Sequence, residues 1–424
     1  MRHVLRLVCV LIIYCLSFST AQAFTQTAPL RVLVDPDQIS VSGVSSGGYM
    51  AMQLHVAYSD LFMGVGAIAG GPYYCAEDRP PEDINKIKTI CMLGVGADLT
   101  ANTYIDAARQ AEGEGKISSL ENLKDDKVYL FNSQSDQVIN PLLGYISKLF
   151  YEEFVENSVR QIEAWSYIAK FGPFYPVAHG MPTDNEMFDE YMGLDKYSTP
   201  CAPSNSQQYS WFPNQFLRGN DPWMYHCDAF LLSGYNLAQD ILDHIYGTLR
   251  DPETANMNRM FGFNQLEYID DPSITTVQQL NDAGLDEEGY VYVPEDCMAN
   301  AKACRIHVAL HGCQMFPKWT FTGKVGSDFE GQEVTFGGLY RENVYNTVAE
   351  ANDIIMVYPQ AHNIGTVEAD TNPYGCWEFW AFEDANIDTY YTREGREMKF
   401  IANVVQALVA GTLQVKSQAL IGRR

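Results

Sequence analysis

A GVSSG pentapeptide at residues 43–47 has the spacing of a nucleophile elbow, in which a serine is exposed on a sharp turn between a strand and a helix. A β-type run at 38–42 precedes it, and a helical pattern at 48–58 follows. The glycines suit such a turn because a side chain there would collide with neighbouring backbone. The pattern predicts Ser45 as the nucleophile. Ser46 is the alternative, but in this register it would supply a backbone N–H.

The base that activates this serine is predicted to be His179. A serine hydroxyl needs an imidazole to accept its proton and a carboxylate to orient that imidazole. His179 lies in a loop with Gly and Pro downstream of Ser45, as the chain order serine, acid, histidine of α/β-hydrolases requires. His362, which follows a predicted strand, is the second candidate. The other histidines lie in the N-terminal segment, in predicted helices or strands, beside a cysteine or in a turn: His3, His55, His226, His244, His307 and His311.

Asp136 is the predicted orienting acid. It comes just after an apolar run at 128–131, where a turn would bring its carboxylate to the carboxyl edge of a sheet. Asp98, Asp125 and Asp126 are alternatives. The last two precede the strand and would emerge at its opposite end.

The sequence LHGC at 310–313 closes a predicted strand at 305–310. In α/β-hydrolases a His-Gly turn in such a position contributes one backbone N–H to the oxyanion hole. The amides of Cys313 and Ser46 are therefore predicted to hold the negative oxygen of a tetrahedral intermediate, each lowering the barrier by about 3–4 kcal/mol. His311 is predicted to shape this turn, and not to act as the base.

Short apolar runs alternate with helical patterns, which predicts an α/β fold: an α/β-hydrolase with a mostly parallel sheet and helices on both faces. Besides the elements already named, strands are predicted at 64–69, 289–293 and 354–358, and an amphipathic helix at 396–408. The runs at 289–293 and 305–310 are separated by a turn that carries Cys297 and Cys304. A disulfide between these cysteines would stabilise a hairpin formed by the two strands.

The order of the motifs along the chain is unusual. The oxyanion turn follows the predicted catalytic residues, whereas in ordinary α/β-hydrolases it precedes them. A circular permutation explains this order, with 289–408 as the first half of the fold and 38–179 as the second. Such a change is tolerated where the original termini lie close together at the surface. It also predicts that the helix at 396–408 packs near the strand leading to Ser45.

The net charge restricts the possible function classes, and the N-terminal segment indicates the cellular compartment. Among 424 residues, 53 are Asp or Glu and 28 are Lys or Arg, a formal net charge of -25. This charge repels phosphate backbones and anionic lipids, so neither nucleic-acid nor membrane partners are expected. Residues 1–23 have a basic start, an apolar run and Ala21-Gln22-Ala23, which predicts a signal peptide cleaved near Ala23 and export to the periplasm or medium. Residues 24–424 are predicted to form a single catalytic domain, with a cap or lid around 183–272 where aromatic and amide side chains are frequent.

Eight of the ten cysteines follow the signal segment. An even number in an exported chain favours disulfides, with 105 possible connectivities if all of them pair. Metal binding is disfavoured because no Cys-x-x-Cys pair exists and no histidine is placed to complete a zinc set. The sequence therefore predicts structural disulfides and no metal.

Several longer motifs resemble those of extracellular poly(hydroxybutyrate) depolymerases, and the motif order is similar to that of circularly permuted, single-domain members. They are GVSSGG at 43–48, YHCD at 225–228, IYG at 245–247, GYVYVP at 289–294, ALHGC at 309–313, YPQ at 358–360 and NPYGCW at 372–377. Together they span most of the chain after the signal segment. The resemblance implies an α/β-hydrolase fold, a polyester or oligoester substrate, and no metal or organic cofactor.

The resemblance also implies a complete site. It gives Ser45, Asp136 and His179 as the catalytic residues, with backbone donors at Ser46 and Cys313, and it adds Trp377 as a crevice aromatic near the bound acyl unit. It further implies four disulfides: Cys75–Cys91, Cys201–Cys227, Cys297–Cys304 and Cys313–Cys376, the last bracing the oxyanion loop. The segments 139–174 and 184–222 are longer than the corresponding segments of compact members, and loops there could cover the crevice. Because little sequence follows 408, binding to crystalline polymer is expected either to come from the catalytic domain's own surface or to be weak.

The expected function is a secreted, monomeric serine esterase that hydrolyses short-side-chain polyhydroxyalkanoate, above all poly(hydroxybutyrate), through an acyl-enzyme. The alternative enzyme is a secreted carboxylesterase of feruloyl-esterase or oligoester-hydrolase type. A catalytically inactive hydrolase used for binding is disfavoured by the intact set of Ser45, Asp136 and His179. A serine peptidase is disfavoured because nothing in the sequence resembles a propeller or a charged specificity pocket.

Overall fold

The structure is a computed structural model that describes residues 27–96, 99–133, 136, 138–156, 158–163, 179–183, 199–200, 224–226, 236–318, 320–322, 333–335, 345–365, 372–382 and 386–416. The predicted signal segment 1–23 lies outside these residues. So do Asp98, Cys201, Cys227 and the parts 184–198, 201–223 and 227–235 of the predicted cap.

Strands and helices alternate through much of the described chain. The strands are β1 (Thr27–Pro29), β2 (Val34–Val44), β3 (Gly64–Ile68), β4 (Lys127–Asn132), β5 (Val159–Glu163), β6 (Met181–Thr183), β7 (Thr199–Pro200), β8 (Met224–His226), β9 (Met260–Asn264), β10 (Glu288–Tyr292), β11 (Cys304–Leu310), β12 (Thr320–Thr322), β13 (Glu333–Thr335), β14 (Ile354–Tyr358) and β15 (Gln414–Lys416). The helices are α1 (Ser46–Ala57), α2 (Ile84–Cys91), α3 (Ala101–Gly113), α4 (Pro141–Glu152), α5 (Leu237–Tyr246), α6 (Val277–Asp282), α7 (Glu295–Met298), α8 (Asn346–Asn352) and α9 (Arg396–Val409). Short 3-10 helices span Pro81–Asp83, Leu120–Asp125, Met257–Arg259 and Gln265–Glu267. Within these ranges no helix is both long and apolar enough to cross a membrane.

One eight-stranded sheet organises the molecule, in the order β5-β4-β3-β2-β11-β14-β10-β9. The six strands from β5 to β14 are parallel to one another, while β10 is antiparallel to both of its neighbours, β14 and β9. The N-terminal strands β2 to β5 form one half of this sheet, and the four strands from the C-terminal part of the chain form the other half. The two halves meet where β2 pairs with β11.

Both faces of the sheet are covered, because side chains alternate along each strand. In β4, Val128 and Leu130 pack into one hydrophobic cluster, while Tyr129 and Phe131 pack into another. The first cluster also takes residues from α1 and α9, and the second takes residues from α5 and α8. The predicted α/β class, with a mostly parallel sheet and helices on both faces, is confirmed.

The predicted elements match the observed ones within a few residues at each end, with one topological error. The predicted hairpin between 289–293 and 305–310 is wrong, because β14 lies between β10 and β11 in the sheet. The Cys297–Cys304 disulfide is present, but it joins α7 to the start of β11. Two neighbouring apolar runs favoured a local hairpin, yet β14, which is more distant in sequence, pairs with both strands.

The junction between β2 and β11 holds two backbone turns in direct contact. In the paired register Gly43 lies opposite Leu310, so both strands end at the same edge of the sheet. A β-carbon on Gly47 would lie 2.4 Å from the carbonyl oxygen of His311 and 2.5 Å from that of Leu310. The absence of a side chain at Gly47 is what lets the start of α1 approach the end of β11 this closely.

The ends of the described chain also meet. β1 pairs with β15 in antiparallel register, Thr27 opposite Lys416, and the backbone N–H of Leu30 donates to the carbonyl of Leu413 at 2.8 Å. Helix α9, just before β15, packs against α1 and β2, as the sequence analysis predicted for the helix at 396–408.

Three of the four disulfides that the resemblance implied are present: Cys75–Cys91, Cys297–Cys304 and Cys313–Cys376. The Cys201–Cys227 pairing lies outside the described residues and stays a prediction. Cys75–Cys91 ties the loop after β3 to the end of α2, and Cys313–Cys376 closes a 63-residue separation beside the edge where β2 and β11 end.

A Gly47→Ala substitution is expected to destabilise the protein by several kcal/mol, about 3 or more, because the new methyl group would overlap two backbone carbonyls that cannot move independently. The matched control is Gly113→Ala at the end of α3, where a β-carbon meets nothing within 4 Å. That change should be neutral or stabilising by up to about 1 kcal/mol. Urea unfolding midpoints of the two variants test this, and equal midpoints would contradict the close approach.

Candidate active site

Ser45 lies between the end of β2 and the start of α1, in a backbone conformation that few non-glycine residues adopt. Its φ is 57°, in the left-handed region, and such a residue carries strain of about 1–3 kcal/mol. The turn is held by hydrogen bonds from the Ser45 N–H to the Ile68 carbonyl (2.8 Å) and from the Tyr49 N–H to the Ser45 carbonyl (3.1 Å). Ser45 therefore sits at the N-terminus of α1, where the helix dipole favours a developing negative charge.

Asp136 and His179 are in contact, although 43 residues separate them in the chain. Nδ1 of His179 lies 2.8 Å from Oδ2 of Asp136, and both side chains are almost completely buried. The other oxygen, Oδ1, accepts the backbone N–H groups of Val138 and Ile139, each at 2.8 Å. An ionised carboxylate can only accept, so Nδ1 of His179 donates and Nε2 carries the lone pair of the neutral ring. This is the arrangement that orients a general base.

The alternative acids and bases have other partners. Asp126 precedes β4, at the end of the strand opposite Asp136, and its Oδ2 lies 3.1 Å from Nε2 of His55. Asp125 ends a 3-10 helix at that same end of β4. His362 has its Nδ1 within 2.7 Å of the Asn363 carbonyl.

The turn after β11 lies against the Ser45 elbow. A β-carbon on Gly312 would be 3.2 Å from Cβ of Ser45 and 3.1 Å from the carbonyl oxygen of Val44. The following residue, Cys313, therefore lies beside the predicted nucleophile. The start of α1 and the end of β11 thus bring Ser46 and Cys313, the two predicted oxyanion donors, to one edge of the sheet.

His311 holds the backbone of this turn as a neutral imidazole. Burial lowers the pKa of His311 to about 4, so the ring is uncharged at neutral pH. Its Nε2 accepts the backbone N–H of Ala361 at 3.1 Å, so Nδ1 carries the proton and donates to the Gly312 carbonyl at 2.8 Å. The carbonyl and N–H of a trans peptide point in opposite directions. His311 therefore turns the Cys313 N–H away from its own ring.

Trp377 lies beside the same turn and is fully buried. Its ring centroid is 5.4 Å from that of His311, and its backbone N–H donates to the hydroxyl oxygen of Ser46 at 3.2 Å. The indole Nε1 is buried without a hydrogen-bond partner among the described residues. The resemblance implied a crevice aromatic, and in this structure the ring packs inside the protein next to the predicted oxyanion residues.

Sequence reasoning did not single out two contacts at this edge. One is the Ser46 hydroxyl as acceptor of the Trp377 N–H, and the other is Asn372, whose side chain bonds both backbone groups of Cys376. The Asn-Pro-x-Gly pattern at 372–375 is a turn signal that could have pointed to Asn372. Among the described residues, no three His, Cys, Asp or Glu side chains come together as a metal site requires.

Comparison with known proteins found depolymerases that are similar to this chain over most of its length. A poly(3-hydroxybutyrate) depolymerase of Delftia acidovorans is 30% identical over 383 residues, which cover 89% of this chain and 61% of that protein. A polyhydroxybutyrate depolymerase of Talaromyces funiculosus is 31% identical over 386 residues, covering 89% of this chain and 91% of the relative. No protein-family model matches the chain.

A solved structure has the same fold. It is a PHB depolymerase in which one serine is replaced by alanine, complexed with an R3HB trimer, and it is 28% identical with a TM-score of 0.65. The similarity covers 91% of this chain and 99% of that one. The elements described above are therefore arranged as in that depolymerase.

The two buried neutral histidines of β11 and its turn should make the protein less stable in mild acid. Burial lowers the pKa of His307 to about 3 and that of His311 to about 4, while the unfolded chain titrates near 6.5. Their contribution is therefore complete above about pH 6.5 and is lost as the pH falls towards the folded-state pKa values. Between pH 6.5 and 5, each should lower the free energy of unfolding by about 2 kcal/mol.

Urea unfolding at pH 7 and pH 5 measures this loss, and His307→Gln separates it from other titrating groups. The glutamine can still bond Ser40 or Ser42, which contact the two ring nitrogens of His307 at 2.6 and 2.7 Å, but it does not titrate. The variant should lose about 2 kcal/mol less than the parent between these pH values. An equal loss in both proteins would show that His307 does not carry the effect.

Proposed function

This chain belongs to the family of polyhydroxybutyrate depolymerases, and we propose that it hydrolyses the ester bonds of poly(hydroxybutyrate) as a serine esterase. Ser45 is the nucleophile, His179 the general base and Asp136 the residue that orients His179. The observation that carries this proposal is the buried 2.8 Å contact between His179 and Asp136, formed by residues from two separate loops. A carboxylate paired in this way with a histidine fixes the imidazole in one tautomer, as a general base requires.

Acylation begins when the Ser45 hydroxyl attacks the carbonyl carbon of a polymer ester while Nε2 of His179 takes its proton. The tetrahedral intermediate carries its negative charge on the former carbonyl oxygen, which the backbone N–H groups of Ser46 and Cys313 stabilise. When the intermediate collapses, the C–O bond to the leaving chain breaks. His179 returns the proton to that oxygen, which departs as a hydroxyl end, and the acyl group stays as an ester on Ser45.

Deacylation repeats these steps with water. His179 takes a proton from a water molecule, whose oxygen attacks the acyl carbon, and the same two N–H groups hold the second tetrahedral intermediate. When this intermediate collapses, the bond to Ser45 breaks and His179 returns the proton to Oγ, which restores the Ser45 hydroxyl. The products are a carboxylic acid end and a hydroxyl end of the polyester, and the chemistry uses no metal or organic cofactor.

The order of the strands supports a circular permutation of the α/β-hydrolase fold. The oxyanion turn after β11 follows the nucleophile in the chain, and the two sequence halves occupy separate halves of one sheet. The paired strands β1 and β15 bring the described chain ends together, so a short link there would run from α9 directly into β2. We interpret these chain ends as the site where the ordinary fold was opened.

Export and organisation belong to the same proposal. Three disulfides fit an oxidising compartment, so residues 1–23 are interpreted as a signal peptide and the mature chain as secreted to the periplasm or the medium. Residues 24–424 would form one catalytic domain that acts as a monomer, with Trp377 near the bound acyl unit. The predicted cap around 183–272 stays a proposal only for the part before α5, because α5 packs on one face of the main sheet and β9 is the edge strand of that sheet.

Replacing Ser45 with alanine should abolish polymer hydrolysis. Clearing of an amorphous poly(hydroxybutyrate) suspension and analysis of the released acids measure the activity, and labelling by an organophosphate should be lost with it. Ser147→Ala is the matched control, because Ser147 is also buried and its hydroxyl donates to the Leu143 carbonyl within α4. If the parent protein leaves the polymer intact and releases phenolic acids from feruloylated polysaccharide, the alternative carboxylesterase function is correct.

An Asp136→Asn variant should keep its fold but lose about 10⁴-fold in kcat, because the amide can favour the wrong tautomer of His179. The amide still offers one oxygen to the N–H groups of Val138 and Ile139, which limits the effect on stability. Burst kinetics with a chromogenic ester and the melting temperature separate the two effects. A fall in kcat of less than tenfold would assign the orienting role to another carboxylate.

A further inference from the structure

The two proposed oxyanion donors are far apart in sequence but are both attached to one short segment, residues 372–377. Cys376 forms a disulfide with Cys313, whose backbone N–H is one donor, with 4.2 Å between the two Cα atoms. Trp377 donates its backbone N–H to the hydroxyl oxygen of Ser46, whose own N–H is the other donor. Adjacent residues of this segment thus hold one donor residue each.

Asn372 fixes the backbone of this segment at the point where it makes those two contacts. Its Oδ1 accepts the Cys376 N–H at 2.9 Å, and its Nδ2 donates to the Cys376 carbonyl at 2.6 Å. The side chain of Asn372 is buried, so water does not compete for these bonds. The Cys376 carbonyl belongs to the peptide whose N–H is that of Trp377, so Asn372 also sets the direction in which that N–H points.

The same segment is tied to the oxyanion turn by a further backbone contact. The N–H of Gln314, the residue after Cys313, donates to the Tyr374 carbonyl at 2.7 Å. The segment therefore holds the turn after β11 through one covalent link and one hydrogen bond. It holds the start of α1 through the Ser46 hydroxyl.

We propose that Asn372 is a positioning residue for ester hydrolysis, which sets the separation of the Ser46 and Cys313 N–H groups by holding Cys376 and Trp377 in place. This inference rests on the proposed function. Oxyanion donors act only when they lie about 2.7–3.1 Å from the developing charge. A displacement of about 1 Å at such a site costs on the order of 100-fold in rate.

A purely structural role for Asn372 makes a different prediction, which a matched buried asparagine reveals. Asn352, at the end of α8, also bonds backbone on both sides of its amide: Oδ1 accepts the Arg250 N–H at 2.7 Å, and Nδ2 donates to the Arg250 and Val348 carbonyls at 3.0 and 2.8 Å. It lies just before β14, at the edge of the sheet opposite Ser45. Both asparagines support backbone, but only Asn372 supports backbone that reaches the donors.

The test compares three variants: Asn372→Ala, Asn372→Asp and Asn352→Ala. For each variant, kcat and KM are measured with p-nitrophenyl butyrate, and inhibition is measured with an alkyl boronic acid. The boronic acid forms a charged tetrahedral adduct on an active serine. Both Asn372 variants should lose on the order of 10- to 100-fold in kcat with little change in KM, and should bind the boronic acid more weakly by a similar factor. Asn352→Ala should lower the melting temperature and leave kcat and boronic acid binding within about twofold.

A second route to the same contact covers the case in which the Asn372 variants fail to fold. Ser46→Ala removes only the acceptor of the Trp377 N–H, and it should lower kcat without a large change in melting temperature. Combined with Asn372→Asp, it should have less than the product of the two separate effects, because both changes act on one contact.

The outcomes separate this inference from the proposed function. If Asn372→Asp or Ser46→Ala folds and keeps the parent kcat and boronic acid affinity, the positioning role is wrong, even though the parent clears polymer. If the parent hydrolyses the soluble ester but does not clear amorphous poly(hydroxybutyrate), the substrate assignment is wrong and the positioning role is judged on the ester data alone. If the parent protein, with Ser45 intact, neither hydrolyses the soluble ester nor clears the polymer, both proposals are wrong.

Discussion

Two backbone turns, at the ends of β2 and β11, are in direct contact, and this contact positions the other parts of the candidate site. The turns can touch only because Gly47 has no side chain, since a β-carbon there would lie within 2.5 Å of two carbonyl oxygens. This contact places the proposed nucleophile, at the end of one strand, next to the proposed oxyanion turn at the end of its neighbour. The register of β2 against β11, Gly43 opposite Leu310, makes the two strands end together.

Burial then decides the charge state of the groups around this contact. His311 is held neutral, which lets one ring nitrogen accept a backbone N–H while the other donates to a backbone carbonyl. His307, further back on β11, uses both ring nitrogens to bond serine hydroxyls of β2, so the same strand pair is joined by side chains as well as by its backbone ladder. His307 thus links the two halves of the sheet, while His311 fixes the turn after β11 that lies against the Ser45 elbow.

The sheet also explains how a chain with this motif order can build the site. Strands from the N-terminal part of the chain carry the elbow and Asp136, whereas strands from the C-terminal part carry the proposed oxyanion turn. Parallel strands deliver their carboxyl ends to one edge whatever the order in which they are connected. The hydrogen bond from Trp377 to Ser46 joins the two halves at that edge, and the disulfide between Cys313 and Cys376 ties the turn after β11 to the residue beside Trp377.

The α/β class, most strand positions and the residues of the candidate site could be predicted from the sequence, because buried strands, glycine turns and a serine elbow are local patterns. The hairpin predicted in the 289–310 region was wrong, since strand neighbours depend on the whole sheet, and there β14 separates β10 from β11. Three features are visible only in the folded chain: Asp136 contacts His179, His311 is a neutral ring that anchors backbone, and Asn372 supports the segment bonded to the turn after β11. These contacts join residues distant in the chain, and their geometry comes from packing, which no local pattern encodes.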